Sequence, residues 1–206
     1  MTREKSIILT ARVVSIVFTP FYLPVLGLTL LFVFSYMNQM PWAYKFQVLT
    51  MVYLLTVVMP TVLIHLYRRS QGWTLIQLGR KERRMVPYVI SILSYFLCMY
   101  LMDYLHIPHF MSNIVGAALF VQIVCALINV WWKISTHTAA IGGVVGALFV
   151  FGEFFNFNPV WWLCLAFLLA GVLGTSRMIL RQHSLSQVIV GFFIGLICSS
   201  TGLIFL

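Results

Sequence analysis

Apolar residues fill seven stretches of the chain, and short polar or basic segments separate them. The stretches run roughly over residues 14–36, 46–67, 87–105, 113–132, 138–156, 159–176 and 185–205. Most approach the about 20 residues that carry a helix across hydrocarbon. They do not alternate apolar with polar residues, as the strands of a membrane barrel would. Lipid offers a spanning backbone no hydrogen-bond partner, so helices are required. The pattern predicts an all-α, polytopic membrane helix bundle of six or seven transmembrane helices. The number stays open at the first stretch, where Pro20 and Pro24 interrupt helical hydrogen bonding. That stretch is either a kinked span or a re-entrant hairpin, with residues 1–13 as a basic interfacial segment.

Small residues recur four apart in Gly142 and Gly146, Ala170 and Gly174, and Gly191 and Gly195. This spacing predicts closely approaching helices and carries no chemistry of its own. No repeat, low-complexity tract or long linker divides the chain, so residues 1–206 read as a single integral membrane domain.

Composition agrees with the pattern. Hydrophobic residues make up 62% of the 206 positions and charged residues 8%. Soluble domains average about 45–50% apolar and about 25% charged, so the bilayer is the main solvent. The formal net charge of +9 would suggest nucleic acid in a soluble protein. Here the basic residues lie in short loops, which points to anionic lipid head groups or a phosphate substrate. The competing reading is topological, because such charges also fix orientation. Cys98, Cys125, Cys164 and Cys198 lie in apolar stretches without a CxxC pair and read as small buried hydrophobes. The basic N-terminus lacks a small-residue cleavage site and does not read as a removable signal peptide.

If all seven stretches span, twelve of the thirteen cations share one face and only Lys45 lies on the other. Three loops then converge, at residues 68–86, 133–137 and 176–184. They contain Arg80-Lys81-Glu82-Arg83-Arg84-Met85-Val86-Pro87, Lys133-Ile134-Ser135-Thr136-His137-Thr138, and Ser176-Arg177-Met178-Ile179-Leu180-Arg181-Gln182-His183. Two histidines and several cations at helix ends suit phosphoryl transfer. Cations spread the transition-state charge. One imidazole attacks phosphorus, and a second protonates the leaving oxygen. Free N–H groups at the start of a helix add affinity for anions.

The chain resembles the type 2 phosphatidic acid phosphatase family, a lipid phosphatase and haloperoxidase-like superfamily. Its third motif is Ser-Arg, five residues, His, three residues, Asp. Ser176, Arg177 and His183 match it, and Gln187 stands at the aspartate position. The second motif, Pro-Ser-Gly-His, is met by Ser135 and His137, with Ile134 and Thr136 replacing proline and glycine. The first motif, Lys, six residues, Arg-Pro, is matched only by the basic cluster and Pro87. The resemblance implies a nucleophilic His183 that forms a phosphohistidine, and a general acid and base in His137. It implies phosphate binding by Arg177, Ser135 and the Thr136 amide. From the first loop, Arg84 with Arg80 or Lys81 would join them, sharing a helical face, and Lys133 would replace a missing cation. Gln187 can accept the imidazole N–H as the family aspartate does, but it brings no charge.

The reading is therefore a membrane phosphatase acting on a lipid phosphate or pyrophosphate, with no cofactor or metal, no nucleic-acid partner, and membrane lipids around it. The alternatives are a phosphotransferase on the same scaffold and a non-catalytic lipid-phosphate binder or transporter. The expected location is the cell (inner) membrane. Seven spans and the positive-inside rule put the motifs in the cytoplasm. A re-entrant first segment puts them on the outer face, the side favoured here. Trp42, Trp73, Trp131, Trp132, Trp161 and Trp162 read as an interfacial belt. His65, His106 and His109 read as surface residues, and Asp103 and Glu153 as acids reaching the surface opposite the motifs.

Overall fold

In the computed structural model, residues 3–72, 85–156 and 158–205 are described. Among them the chain is helical with no strand, and seven helices are long and apolar enough to cross a membrane. The basic cluster with Arg80, Lys81 and Arg84, and Trp73 beside it, lies outside the described residues.

Helix α1 (Arg3–Val17) and helix α2 (Leu23–Phe34) flank a short 3-10 turn, Pro20–Tyr22. Proline places this break. Pro20 has no N–H to give, and Thr19 before it is extended, at φ −72° and ψ 147°. Helix α1 runs through residue 13 to Val17 and stops ahead of Pro20. Helices α3 (Trp42–Tyr53) and α4 (Met59–Ser70) continue one another through a π-turn, Leu54–Val58. Pro60 follows that turn. Its ring would crowd the carbonyl four residues back in an α-helix, and the wider turn relieves this.

The remaining helices are α5 (Met85–Tyr104), α6 (His109–Trp131), α7 (Thr136–Phe155), α8 (Val160–Ile179) and α9 (Leu185–Phe205). α7 is the central helix and packs on α9, α8, α6 and α2. Among the described helices its contact with α9 is the most extensive. A Cβ on Gly195 would overlap the backbone of Ala139, and one on Gly142 the backbone of Phe192. At Gly191 it would lie 2.7 Å from the Ser135 carbonyl oxygen and 2.7 Å from Thr138 Oγ1. Only glycine lets the two backbones meet at these heights. Beside this contact, Leu28, Leu31, Tyr95, Met111, Val115 and Phe151 form the main core.

The outer surface is apolar, as lipid requires. Trp131 closes α6, and Trp161 and Trp162 lie in the first turn of α8. Asp103 and Glu153 are exposed near helix ends, and Asp103 Oδ1 lies 3.9 Å from His109 Nδ1. Cys98, Cys125 and Cys198 are buried, whereas Cys164 is exposed on α8. That corrects the expectation of four buried thiols. Cys164 sits on a lipid-facing side of its helix, where a small apolar residue needs no burial in protein.

Candidate active site

The turns before α7 and α9 are joined by backbone and side-chain bonds. Ser135 N donates to the Gln187 carbonyl at 3.4 Å, and Lys133 Nζ donates to the Gln182 carbonyl at 2.6 Å. Together with the glycine contact below them, these bonds fix the two histidine-bearing segments side by side.

Ser135 is the N-cap of α7 and fully buried. Its Oγ accepts from Thr138 N at 3.4 Å, and its carbonyl accepts from Thr138 Oγ1 at 3.0 Å. The hydroxyl is thus engaged in capping. Thr136 and His137 follow at the first two positions, where a helix offers backbone N–H groups that no carbonyl of its own can take.

Helix α8 ends in a Schellman turn. Gln182 N donates to the Arg177 carbonyl at 3.1 Å and Arg181 N to that of Met178 at 2.9 Å, while Arg181 adopts φ 52°. This reversal brings Arg177, in the last turn of α8, and His183, just beyond it, to the same end of the bundle. His137 has both Arg177 and His183 as electrostatic neighbours. The three side chains singled out from the sequence lie at one end of the bundle, close enough for Arg177 and His183 to act electrostatically on His137.

Gln187 is at the third position of α9, three residues after Ser184, and its Oε1 accepts from Ser184 N at 3.2 Å. This is half of a capping box, legible in the sequence as Ser-x-x-Gln. The same oxygen lies 3.2 Å from His183 Nδ1. The Ser184 amide can only donate, so the Gln187 atom there is the oxygen and His183 Nδ1 must carry the proton. The lone pair of neutral His183 is then on Nε2. At His137 the partner is the Ser15 carbonyl, 3.2 Å from Nε2. A carbonyl only accepts, so Nε2 carries the proton and Nδ1 the lone pair. Among the described residues His137 Nδ1 and Arg177 Nε are buried without a hydrogen-bond partner, and such polar atoms are uncommon and call for an explanation.

Two apolar cavities reach this end. One of about 260 Å³ is lined by His137 with Phe18, Tyr22, Leu26, Val144 and Leu173. The other, about 140 Å³, touches Thr136 and Gln122 and runs between Pro20, Tyr88 and Val121.

Residues 131–205 match the model of a known family, described as the PAP2 superfamily. Over that stretch the chain is similar to proteins of the PAP2 superfamily. The match covers α7, α8 and α9 with both histidine motifs, and it supports phosphatase-type activity. No curated protein and no solved structure gives a match. Among the described residues no three His, Cys, Asp or Glu side chains are grouped as metal ligands would be. Ser15, which contacts His137 from outside the matched stretch, was not singled out from the sequence, and nothing in its surrounding pattern marks it.

Proposed function

We propose that this protein is a membrane phosphatase that hydrolyses a lipid phosphate or pyrophosphate through a phosphohistidine. The hydrogen bond between His183 Nδ1 and Gln187 Oε1 carries the reading. It orients the ring and leaves Nε2 as the nucleophilic nitrogen, at the end of the bundle where Arg177 and His183 both act electrostatically on His137.

In the first step the Nε2 lone pair of His183 forms a bond to phosphorus, and the bond from phosphorus to the lipid oxygen breaks. Arg177 and the amides opening α7 bind the phosphoryl oxygens as charge spreads over them. His137 Nδ1 takes the proton that the bound phosphate monoanion carries and gives it to the departing oxygen. In the second step His137 Nδ1 takes a proton from water, the water oxygen attacks phosphorus, and the P–N bond breaks. Inorganic phosphate leaves with the proton held on His137 Nδ1, and both imidazoles return to their neutral forms. Gln187 brings no charge to the imidazolium-like intermediate, so each turnover lacks the stabilisation a carboxylate would add.

A lipid substrate is supported by the 260 Å³ apolar cavity that has His137 in its wall. A hydrocarbon tail fits such a lining and would draw the head group toward the imidazoles. The purified protein is expected to release inorganic phosphate from at least one of phosphatidate, phosphatidylglycerol phosphate and a polyprenyl pyrophosphate. EDTA should not slow it, and short-chain soluble esters should be poorer substrates. His183→Ala with full hydrolysis would overturn the assignment. The site faces the outer side of the membrane on this reading, and an impermeant thiol reagent should label Ser184→Cys in intact cells.

A further inference from the structure

Helix α1 stops at Val17 because Pro20 follows, so the carbonyls of its last turn have no partner within the helix. The Ser15 carbonyl is one of these, and His137 Nε2 meets it at 3.2 Å. The backbone of Ser15 is therefore in direct contact with one of the two imidazoles.

The Ser15 side chain behaves unlike other hydroxyls in these helices. Thr10, Thr29, Thr56, Ser94, Ser176 and Thr201 each donate to the carbonyl four residues back, at 2.7–3.0 Å. That is the default for a hydroxyl in an apolar environment. Ser15 is only 7% exposed, and its Oγ has no hydrogen-bond partner among the described residues. A buried hydroxyl left unpaired is costly. His137 Nδ1 and Arg177 Nε share this condition, and Arg177 in turn neighbours His137. Among the described residues, unpaired buried polar atoms thus come from α1, α7 and α8, on a residue bonded to His137 through its backbone, on His137 itself, and on the arginine whose charge acts on it.

We propose that Ser15 is a phosphoryl-binding residue, its hydroxyl donating to an oxygen of the group that Arg177 binds. The site is then completed by the N-terminal helix, outside the stretch that matches the family. This rests on the phosphatase reading. It assigns the chemistry of a tetrahedral oxyanion, met equally by a lipid phosphate and by orthovanadate.

The test uses the full-length protein in detergent, with orthovanadate binding followed by calorimetry and unfolding by heat, beside the phosphate-release assay. Ser15→Ala should bind orthovanadate about tenfold or more weakly, since a hydrogen bond to an anion is lost. KM for the lipid phosphate should rise similarly. The unliganded variant should melt no lower than the wild type, because the substitution removes an unpaired buried group. Wild-type affinity in Ser15→Ala would overturn the proposal, and so would a lowered melting temperature, which would mean that the hydroxyl serves the fold. A wild-type protein that neither binds orthovanadate nor hydrolyses any lipid phosphate would overturn the phosphatase reading itself.

Discussion

Helices α7 and α9 meet backbone to backbone, with Gly195 against Ala139 and Gly191 against Ser135, whereas α1 lies on α8 beside a cavity of about 610 Å³. Both contacts bear on the same histidine pair. The first sets the distance between the segments that carry His137 and His183, and small residues enforce it along much of the helix. The second brings one carbonyl to His137 and leaves the facing side of α8 loosely covered. Gly171, beside that cavity, has open space where a Cβ would go. Precision in this protein thus comes from close packing near the site, and α1 adds to it through a hydrogen bond. Loose packing does not imply irrelevance, since the loosely held helix supplies a contact that no residue of 131–205 supplies.

The largest expected effect breaks the tight contact. Gly195→Val has no room beside the Ala139 backbone and should cost about 3 kcal/mol or more, as overpacking in a close-packed interior does. Loss of the monodisperse protein from detergent would show it. Gly171→Ala on the loose side should leave yield and melting temperature unchanged, and equal damage from both would erase the contrast.

Chemistry comes next in size. His183→Ala should lower phosphate release by about a thousandfold or more while melting close to the wild type, because it removes the nucleophile and not a core group. Gln187 tests the bond behind it. Gln187→Glu keeps the length that spans Ser184 N and His183 Nδ1 and adds a charge, so kcat should rise about tenfold. A shorter aspartate retracts the oxygen by one methylene and should gain less. If Gln187→Glu is no faster, the missing charge does not limit the reaction.

The smallest effect concerns the turn before His183. Arg181 holds φ 52° at the position after α8 where glycine is favoured. Arg181→Gly should stabilise the turn by about 0.5 kcal/mol or more, a rise of a degree or two in melting temperature, with phosphate release unchanged. A marked loss of activity would show that the Arg181 guanidinium contributes to the substrate site.

Much of the helix layout was legible because the signal is simple. Twenty apolar residues in a row have few fates in water or lipid, and the seven stretches correspond to seven long apolar helices. The exception was the first stretch, where the apolar run conceals a break that the prolines decide. Helix α1 carries Lys5 and Arg12 ahead of the apolar stretch, which by hydropathy alone begins near residue 14. At the site, motif spacing points to His137, His183 and Arg177, and their placement at one end of the bundle follows from the Schellman turn and the glycine contact. Ser135 was selected as a phosphate ligand and is found capping α7, a role its position before an apolar run also suits. The family motif distinguishes position 187 by its charge, whereas in the fold Gln187 acts through the Ser184 amide it binds.

By itself the sequence determined the solvent, the helical class and the residue types able to handle a phosphoryl group, because hydropathy and side-chain chemistry are properties of single residues and short runs. It did not determine that Ser15 contacts His137, 122 residues later, or which nitrogen of each imidazole bears the proton. Those depend on which donor faces which acceptor across helices. That is fixed only when α1, α7, α8 and α9 pack and each buried polar atom must take the partner that packing leaves within reach.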